Sequence, residues 1–332
     1  MTQSQLFYTL RPSLIFVADT SEHHCHLRGG DNEIIPLHDI NNQNLLSHVF
    51  DYLNQQAIVS FSELKISFQN SPVCDKQQAL TLATDLQTLI NSLIDASLLF
   101  TISNNKPLSA LKIFLIREGL YTESLFHTLQ QQKILIVADS SHLQTELLEI
   151  FSHYQLDTCI ITLEKHTHTS FTGDMLIGFG NFTDINFFDS IHKTSLQSKI
   201  PWFMLRQAGL DLAQIGPIFI PQESACYHCL TLRMNSQRNN PEHHQKFIDT
   251  NKPTPLQPAE VWSKSDKRFL LVKTVEEVIR YFMSTIESYP VKTLVGKSQY
   301  IDLKKYHSET ERVLKLPSCP DCSNLVKPLV AR

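Results

Sequence analysis

Two pairs of cysteines carry the most definite chemistry in this sequence of 332 residues. Cys226 and Cys229 form one C-x-x-C pair, and Cys319 and Cys322 form a second pair ninety residues further along the chain. Two cysteines three positions apart can direct both sulfur atoms at one point. A tetrahedral Zn²⁺ ion, about 2.3 Å from each sulfur, needs two such pairs. The spacing therefore predicts a four-cysteine zinc site.

A metal ion held by four thiolates has no open coordination position, so this ion would be structural rather than catalytic. The pairs of a compact zinc ribbon lie only about 15–20 residues apart. The longer gap here indicates a site that fastens the C-terminal segment to a distant element of the fold. A disulfide and a thioredoxin-like redox pair remain open as alternatives, although the first residues show no secretory signal and the cysteines number seven, an odd count.

The composition argues against several classes of function. A net charge of −4 gives no overall basic field that would attract nucleic acid. No apolar stretch approaches the roughly 20 residues that a membrane span needs. A hydrophobic fraction of 42% is enough for real cores, and the chain length suggests two or three domains. We therefore expect a cytoplasmic protein with neither nucleic-acid nor membrane partners.

Residues 1–104 are expected to form a small α+β domain. Apolar runs bounded by turn residues predict strands, and apolar side chains at helical spacing predict helices. Strands, three helices and a further strand, in that order, are typical of a winged helix-turn-helix. The predicted strands are 14–18, 24–28, 33–37 and 97–102, and the predicted helices are 42–55, 62–68 and 75–96.

The long helix at 75–96 argues against DNA binding. Its only basic residue is Lys76, against Asp75, Asp85 and Asp95, whereas helices that bind DNA are rich in Lys and Arg. A three-stranded meander does leave one sheet edge free. Such an edge can accept an extended peptide as an additional strand, while a neighbouring helix supplies side-chain pockets.

Residues 105–332 are expected to form an α/β domain. From about residue 131 buried strands alternate with helices, which indicates a parallel sheet of the doubly wound kind. A nucleotide-binding sheet of this kind carries G-x-G-x-x-G after its first strand, because the backbone must pass close to phosphate. Residues 138–143 read Ala-Asp-Ser-Ser-His-Leu, without glycine, and Asp139 would repel a phosphate. We therefore predict no bound nucleotide.

The elements that lead to the cysteines can also be predicted. Residues 208–221 indicate a β-hairpin that delivers Cys226, and a polar loop follows at about 234–260. A long helix is expected at 265–289, and strands at 293–295, 299–303 and 310–315 lead to Cys319. No G-x-S-x-G, H-E-x-x-H or P-loop pattern occurs, so no catalytic residue is predicted.

The cysteine pairs and the residues around them resemble a known family. Ile215-Gly-Pro-Ile-Phe-Ile-Pro221 runs into Cys226-Tyr-His-Cys229-Leu, and Leu316-Pro-Ser-Cys-Pro-Asp-Cys322 contains the second pair. With a winged-helix N-terminus and a doubly wound domain that lacks its glycine loop, these motifs are similar to the ThiF/MoeB-like (ocin-ThiF-like) leader-peptide-binding proteins. Those proteins are scaffolds of azoline and azole peptide biosynthesis and relatives of the zinc-binding subunit of thiazole/oxazole-modified microcin synthetases. The resemblance spans nearly the whole chain.

The resemblance implies a non-catalytic scaffold with a structural Zn²⁺ ion and no nucleotide. Such proteins hold the leader of a ribosomally made precursor peptide and present its core to a YcaO-type cyclodehydratase. That partner uses ATP to form azolines from Cys, Ser or Thr, and a flavin-dependent azoline dehydrogenase can act next. A homodimer or hetero-oligomer is expected. The residues assigned to the leader, which would add as a strand to the winged-helix sheet, are Glu33, Ile34, Ile35 and Leu37 on the edge and Leu82, Leu86 and Leu89 on the facing helix.

Two other functions remain open. Active ThiF/MoeB relatives adenylate a C-terminus, so the chain can also be an ATP-dependent adenylating enzyme with a divergent phosphate site. Such an enzyme must bind Mg-ATP unaided. A winged-helix regulator with a zinc-stapled sensor domain must instead bind duplex DNA with a steep salt dependence. The scaffold requires a neighbouring gene for a short peptide rich in Cys, Ser, Thr and Gly.

Overall fold

A computed structural model of the chain describes residues 6–11, 14–18, 24–28, 34–38, 45–72, 76–138, 141–161, 171–181, 185–240, 242, 246, 262–286, 290–317 and 319–323. The chain divides into two compact units, Met1–His127 and Thr128–Arg332.

The first unit contains two three-stranded antiparallel sheets and several helices. Its strands are β1 (Phe7–Leu10), β2 (Ile15–Ala18), β3 (His24–Arg28), β4 (Ile34–His38), β5 (Val59–Ser60) and β6 (Leu99–Ile102). The helices are α1 (Leu45–Gln55), α2 (Phe61–Gln69), α3 (Lys76–Asp95) and α4 (Ala110–Arg117), and α5 (Glu123–Gln130) crosses the boundary between the units. The sheet orders are β5-β1-β6 and β2-β3-β4.

The helices and strands predicted between residues 14 and 102 agree with these bounds to within three residues where the structure describes them. Strands β1 and β5 were not predicted. β1 pairs with β6, so that Phe7 lies opposite Ile102, and with β5, so that Phe7 lies opposite Ser60. The assignment of this unit as a winged helix stays a prediction.

An apolar core joins α1, α2, α3 and the strands around them in the first unit. It forms because α1 and α3 each carry apolar residues at intervals of three and four, which places them on one face of the helix. Phe50 of α1 and Ile90 of α3 are completely buried in it. Burying one such side chain contributes about 1.5–3 kcal/mol.

The second unit is built on a seven-stranded mixed sheet of order β13-β12-β11-β10-β9-β7-β8. Its strands are β7 (Lys133–Ala138), β8 (Asp157–Ile160), β9 (Met175–Asn181), β10 (Trp202–Gln207), β11 (Leu212–Phe219), β12 (Lys297–Asp302) and β13 (His307–Arg312). The helices that the structure describes here are α6 (Ser141–His153), α7 (Ile185–Ser198), α8 (Tyr227–Ser236) and α9 (Lys264–Ile286).

As predicted, α6 lies between β7 and β8 in the sequence and α7 lies between β9 and β10, and strands β7 to β10 run parallel to one another. The expectation of a parallel sheet is incomplete, because β11, β12 and β13 extend it in antiparallel fashion. The hairpin predicted at 208–221 is in fact formed by β10 and β11, with its turn between them. Residues 293–295 do not form a strand, since Val295 makes only an isolated bridge to Ile218.

The predicted polar loop at about 234–260 begins inside α8, which continues to Ser236. Residues 241, 243–245 and 247–260 of this loop lie outside the described residues, as do residues 287–289 at the end of the predicted long helix. Within the described ranges, no helix combines the length and the apolar character that crossing a membrane requires.

The side chain of Glu123 in α5 links the residue that follows β6 to α4 through hydrogen bonds. Its carboxylate accepts hydrogen bonds from the backbone N–H of Ser103 at 2.9 Å and from Lys112 Nζ at 3.2 Å. Burial by itself raises the pKa of the Glu123 carboxyl, but the Tyr121 hydroxyl, Ser103 and Lys112 lower it overall to about 2.

We expect Glu123→Gln to lower the free energy of unfolding at pH 7 by on the order of 1–2 kcal/mol. The folded-state pKa lies below the unfolded value of about 4.3. The stabilisation by the carboxylate is therefore complete well above pH 4 and is lost as the pH falls toward 2. Urea unfolding at pH 7 and pH 3 measures this, with Glu309→Gln on the exposed strand β13 as control. An equal loss at both pH values would contradict the prediction.

Candidate metal centre and sheet edge

The first cysteine pair lies at the start of α8. β11 ends at Phe219, and the following turn is fixed by Ser224, whose Oγ accepts the backbone N–H of Ile220 at 2.8 Å. Cys226 is the N-cap residue of the helix, with an extended backbone, and Cys229 lies in its first turn. A helix N-terminus carries a partial positive charge, so this position favours the thiolate form of cysteine.

The second pair follows strand β13. The backbone N–H of Leu316 donates to Cys229 Sγ at 3.3 Å, and the N–H of Cys319 donates to the carbonyl of Leu316 at 3.1 Å. Arg233 of α8 ties the two segments together, since its Nε donates to the carbonyl of Leu314 at 2.8 Å. The hairpin of β12 and β13 thus returns the chain to the start of α8.

All four predicted cysteines meet at one buried point. The Sγ–Sγ distances are 3.8 Å for Cys226–Cys229, 3.5 Å for Cys226–Cys319 and 3.4 Å for Cys229–Cys322, and the four thiols lie within 4.8 Å of one another. A tetrahedron with metal–sulfur distances of about 2.3 Å has edges of about 3.8 Å. The thiols are free and far beyond the roughly 2.05 Å of a disulfide. The donor set therefore fits a four-coordinate metal ion.

Burial decides the electrostatics of the cluster. It raises the pKa of the Cys226 thiol strongly and that of Cys322 to about 11. Burial also acts to raise the pKa of Cys229, but the backbone N–H of Leu316 and the neighbouring cysteines lower it overall. A group of four thiolates in so apolar a place needs a compensating cation, which a divalent metal ion supplies.

A histidine that the sequence did not single out lies against the cluster. His192 of α7 is buried, and its Nε2 lies 3.1 Å from Oδ2 of Asp321, the residue just before Cys322. His228 Nδ1 lies 3.6 Å from the same oxygen. Burial lowers the pKa of His192, and Asp321 partly opposes this. The contact between His192 and Asp321 holds the turn that contains the second cysteine pair against α7.

The sheet edge predicted for peptide binding is β4. This strand pairs only with β3, at the end of the β2-β3-β4 sheet, so its other edge meets no described strand. Pro36 lies opposite His26 and has no N–H, so it cannot donate to β3. Because donors alternate along an antiparallel strand, the N–H groups of Ile34 and His38 face the free edge.

The apolar residues assigned to the leader pockets divide into two groups. Leu82 and Leu86 are 2% and 0% exposed, inside the core of the first unit. Ile35, Leu37 and Leu89 are partly buried and pack against the same core. The role of all five residues in peptide binding stays a prediction. Glu33 lies outside the described residues, as do Asp139 and Ser140 of the turn after β7, where no phosphate site is predicted.

Comparison of the sequence with protein families and with curated proteins finds no match. Solved structures do match the fold. A heterocyclase in complex with substrate and cofactor is 16% identical with a TM-score of 0.70, and the match covers 96% of this chain and 39% of that chain. The heterocyclase TruD is 14% identical with a TM-score of 0.68, over 96% and 43% of the two chains.

Escherichia coli MccB is 14% identical with a TM-score of 0.58, and here the match covers 96% of this chain and 97% of that chain. MccB has been crystallised with ATP and with MccA. The chain spans about two fifths of the two heterocyclases and nearly all of MccB. At these identities the matches show that the chain shares the fold of MccB and of part of the two heterocyclases.

Proposed function

We propose that this protein is a non-catalytic scaffold of azoline peptide biosynthesis. It binds the leader of a ribosomally made precursor peptide and presents the core to a YcaO-type cyclodehydratase. The observation that carries the proposal is the match of 96% of the chain to a heterocyclase in complex with substrate and cofactor. The match covers only 39% of that heterocyclase.

The leader would bind as a fourth strand beside β4. The free edge offers the N–H and C=O groups of Ile34 and His38 and the carbonyl of Pro36, which suits an extended peptide. Ile35 and Leu37 on β4 and Leu89 on α3 pack against one core, so the side chains of an added strand would have apolar surface nearby. Leu82 and Leu86 would support this surface from beneath.

The four cysteines would hold a structural Zn²⁺ ion. Four thiolates complete a tetrahedral sphere, so the ion would supply folding free energy and no reaction step. The sulfur–sulfur distances and the burial of the cluster support this assignment.

Replacing His38 by proline should weaken leader binding by about two- to tenfold, the worth of one backbone hydrogen bond of about 0.5–1.5 kcal/mol. His38→Ala is the matched control, because it removes the side chain but keeps the N–H. Fluorescence anisotropy with a labelled leader peptide of an azoline precursor measures both. Equal affinities of the two variants, with the fold intact, would place the leader elsewhere.

Cys319→Ser should lose the bound zinc and several kcal/mol of stability, because metal-binding free energy is folding free energy. Metal analysis of the purified protein and thermal unfolding check this. Cys159→Ser, which removes a thiol on β8 outside the cluster, should keep one zinc ion per chain. A Cys319→Ser protein with wild-type zinc content and unfolding temperature would refute the assignment.

The competing function is an adenylating enzyme, and the match to MccB, which has been crystallised with ATP, favours it. Calorimetric titration with Mg-ATP separates the two functions. The scaffold should give no binding heat at micromolar concentrations, because residues 138–143 lack glycine. Micromolar binding would favour adenylation.

A further inference from the structure

Arg206 is a buried charge at the end of strand β10. The residue is 5% exposed. Its Nη2 donates to Gln214 Oε1 at 2.5 Å and to Met234 Sδ at 3.5 Å. Its Nε is buried and has no hydrogen-bond partner among the described residues. The planar guanidinium is therefore held through its Nη2 group, and its Nε–H remains available as a hydrogen-bond donor.

The groups that hold Arg206 are neutral. Gln214 of β11 accepts from the guanidinium and donates through Nε2 to Ser298 Oγ of β12 at 2.8 Å. Gln214 and Ser298 are both completely buried. This ladder across three strands fixes the orientation of the guanidinium but supplies no negative charge.

A second cation follows the helix end at which Arg206 contacts Met234. Arg238, just beyond the end of α8, is half-buried and donates to Asn235 Oδ1 at 3.0 Å. Burial lowers the pKa of Arg238, and the charge of Arg206 lowers it further. Within the described part of the chain, neither arginine forms an ion pair with a carboxylate. The C-terminus of α8 offers only about half a negative charge, which cannot balance two guanidinium groups.

Arg206 lies at the edge of the sheet where ligands of α/β folds bind. Arg206 and Gln207 end β10 and lie opposite Gly180 and Asn181, which end the parallel strand β9. In open α/β sheets, ligands occupy the crevice at the carboxyl ends of the parallel strands. The metal centre is separate, because Cys226 and Met234 lie at opposite ends of α8, about 12 Å apart along the helix.

We propose that Arg206 and Arg238 bind an oxyanion, the carboxylate or phosphate group of a ligand, at the carboxyl edge of the parallel strands. An arginine fork matches both groups in bidentate geometry. A buried guanidinium without a counter-charge is unfavourable, and a bound anion removes that penalty. The site is independent of the proposed leader edge on β4, so either assignment can fail without the other.

Thermal unfolding at constant ionic strength tests the proposal. Inorganic phosphate, pyrophosphate and N-acetylglycine are compared with chloride, and N-acetylglycinamide serves as the uncharged control. At millimolar concentrations at least one oxyanion should raise the Tm of the wild-type protein by on the order of 2 °C or more. The rise should persist in Arg117→Gln, which removes an exposed arginine, and should vanish in Arg206→Gln.

Phosphate also stabilises proteins without binding to a site, because it is excluded from their surface. An equal rise in wild type and Arg206→Gln would therefore overturn the proposal, and so would no rise with any oxyanion. Equilibrium dialysis of the wild-type protein needs no variant. It should detect one site per chain for labelled phosphate or for N-acetylglycine, and binding of neither would overturn the proposal. Preference for phosphate and pyrophosphate would assign a phosphate-bearing ligand, and preference for N-acetylglycine would assign a carboxylate.

Discussion

The meeting of four thiols is the constraint on which the second unit depends. Cys229 and Cys319 are ninety residues apart, yet their pairs converge within a few ångströms. Three features bring them together. The turn after β11 places Cys226 at the N-cap of α8, the β12–β13 hairpin returns the chain, and Arg233 ties α8 to the segment before Cys319. A site formed across such a gap fixes the segment after β13 to α8.

Much of this organisation could be predicted, because it depends on local patterns in the sequence. The two C-x-x-C pairs are visible as spacing, and helices α1, α3 and α9 are visible as apolar periodicity. Strand β1 was missed because four residues with partners fifty and ninety positions away carry no local signal. His192 and Arg206 were missed for a related reason. Each is a single polar residue whose role depends on segments that only the folded chain brings near.

The first unit shows a second limit of pattern analysis. The periodic leucines of α3 identify an apolar face, but periodicity does not distinguish a face that closes a core from one that lines a pocket. Leu82 and Leu86 are in the core, whereas Leu89 is only partly buried. The edge strand is more informative, because Pro36 fixes which backbone groups of β4 can face an added strand. The physical case for a peptide site thus depends more on backbone pairing than on the leucines.

At the carboxyl edge of the parallel strands, two observations favour opposite conclusions about ligand binding. Residues 138–143 lack the glycines that let a backbone cradle phosphate, which argues against a conventional nucleotide site. Yet a chain that only had to pack well there would be more stable with methionine or leucine in place of Arg206, because an unpaired buried charge is costly. Gln214 and Ser298 also hold the guanidinium in one orientation. A fixed, uncompensated guanidinium would let this edge recognise an anion through a side chain, without phosphate cradling by the backbone.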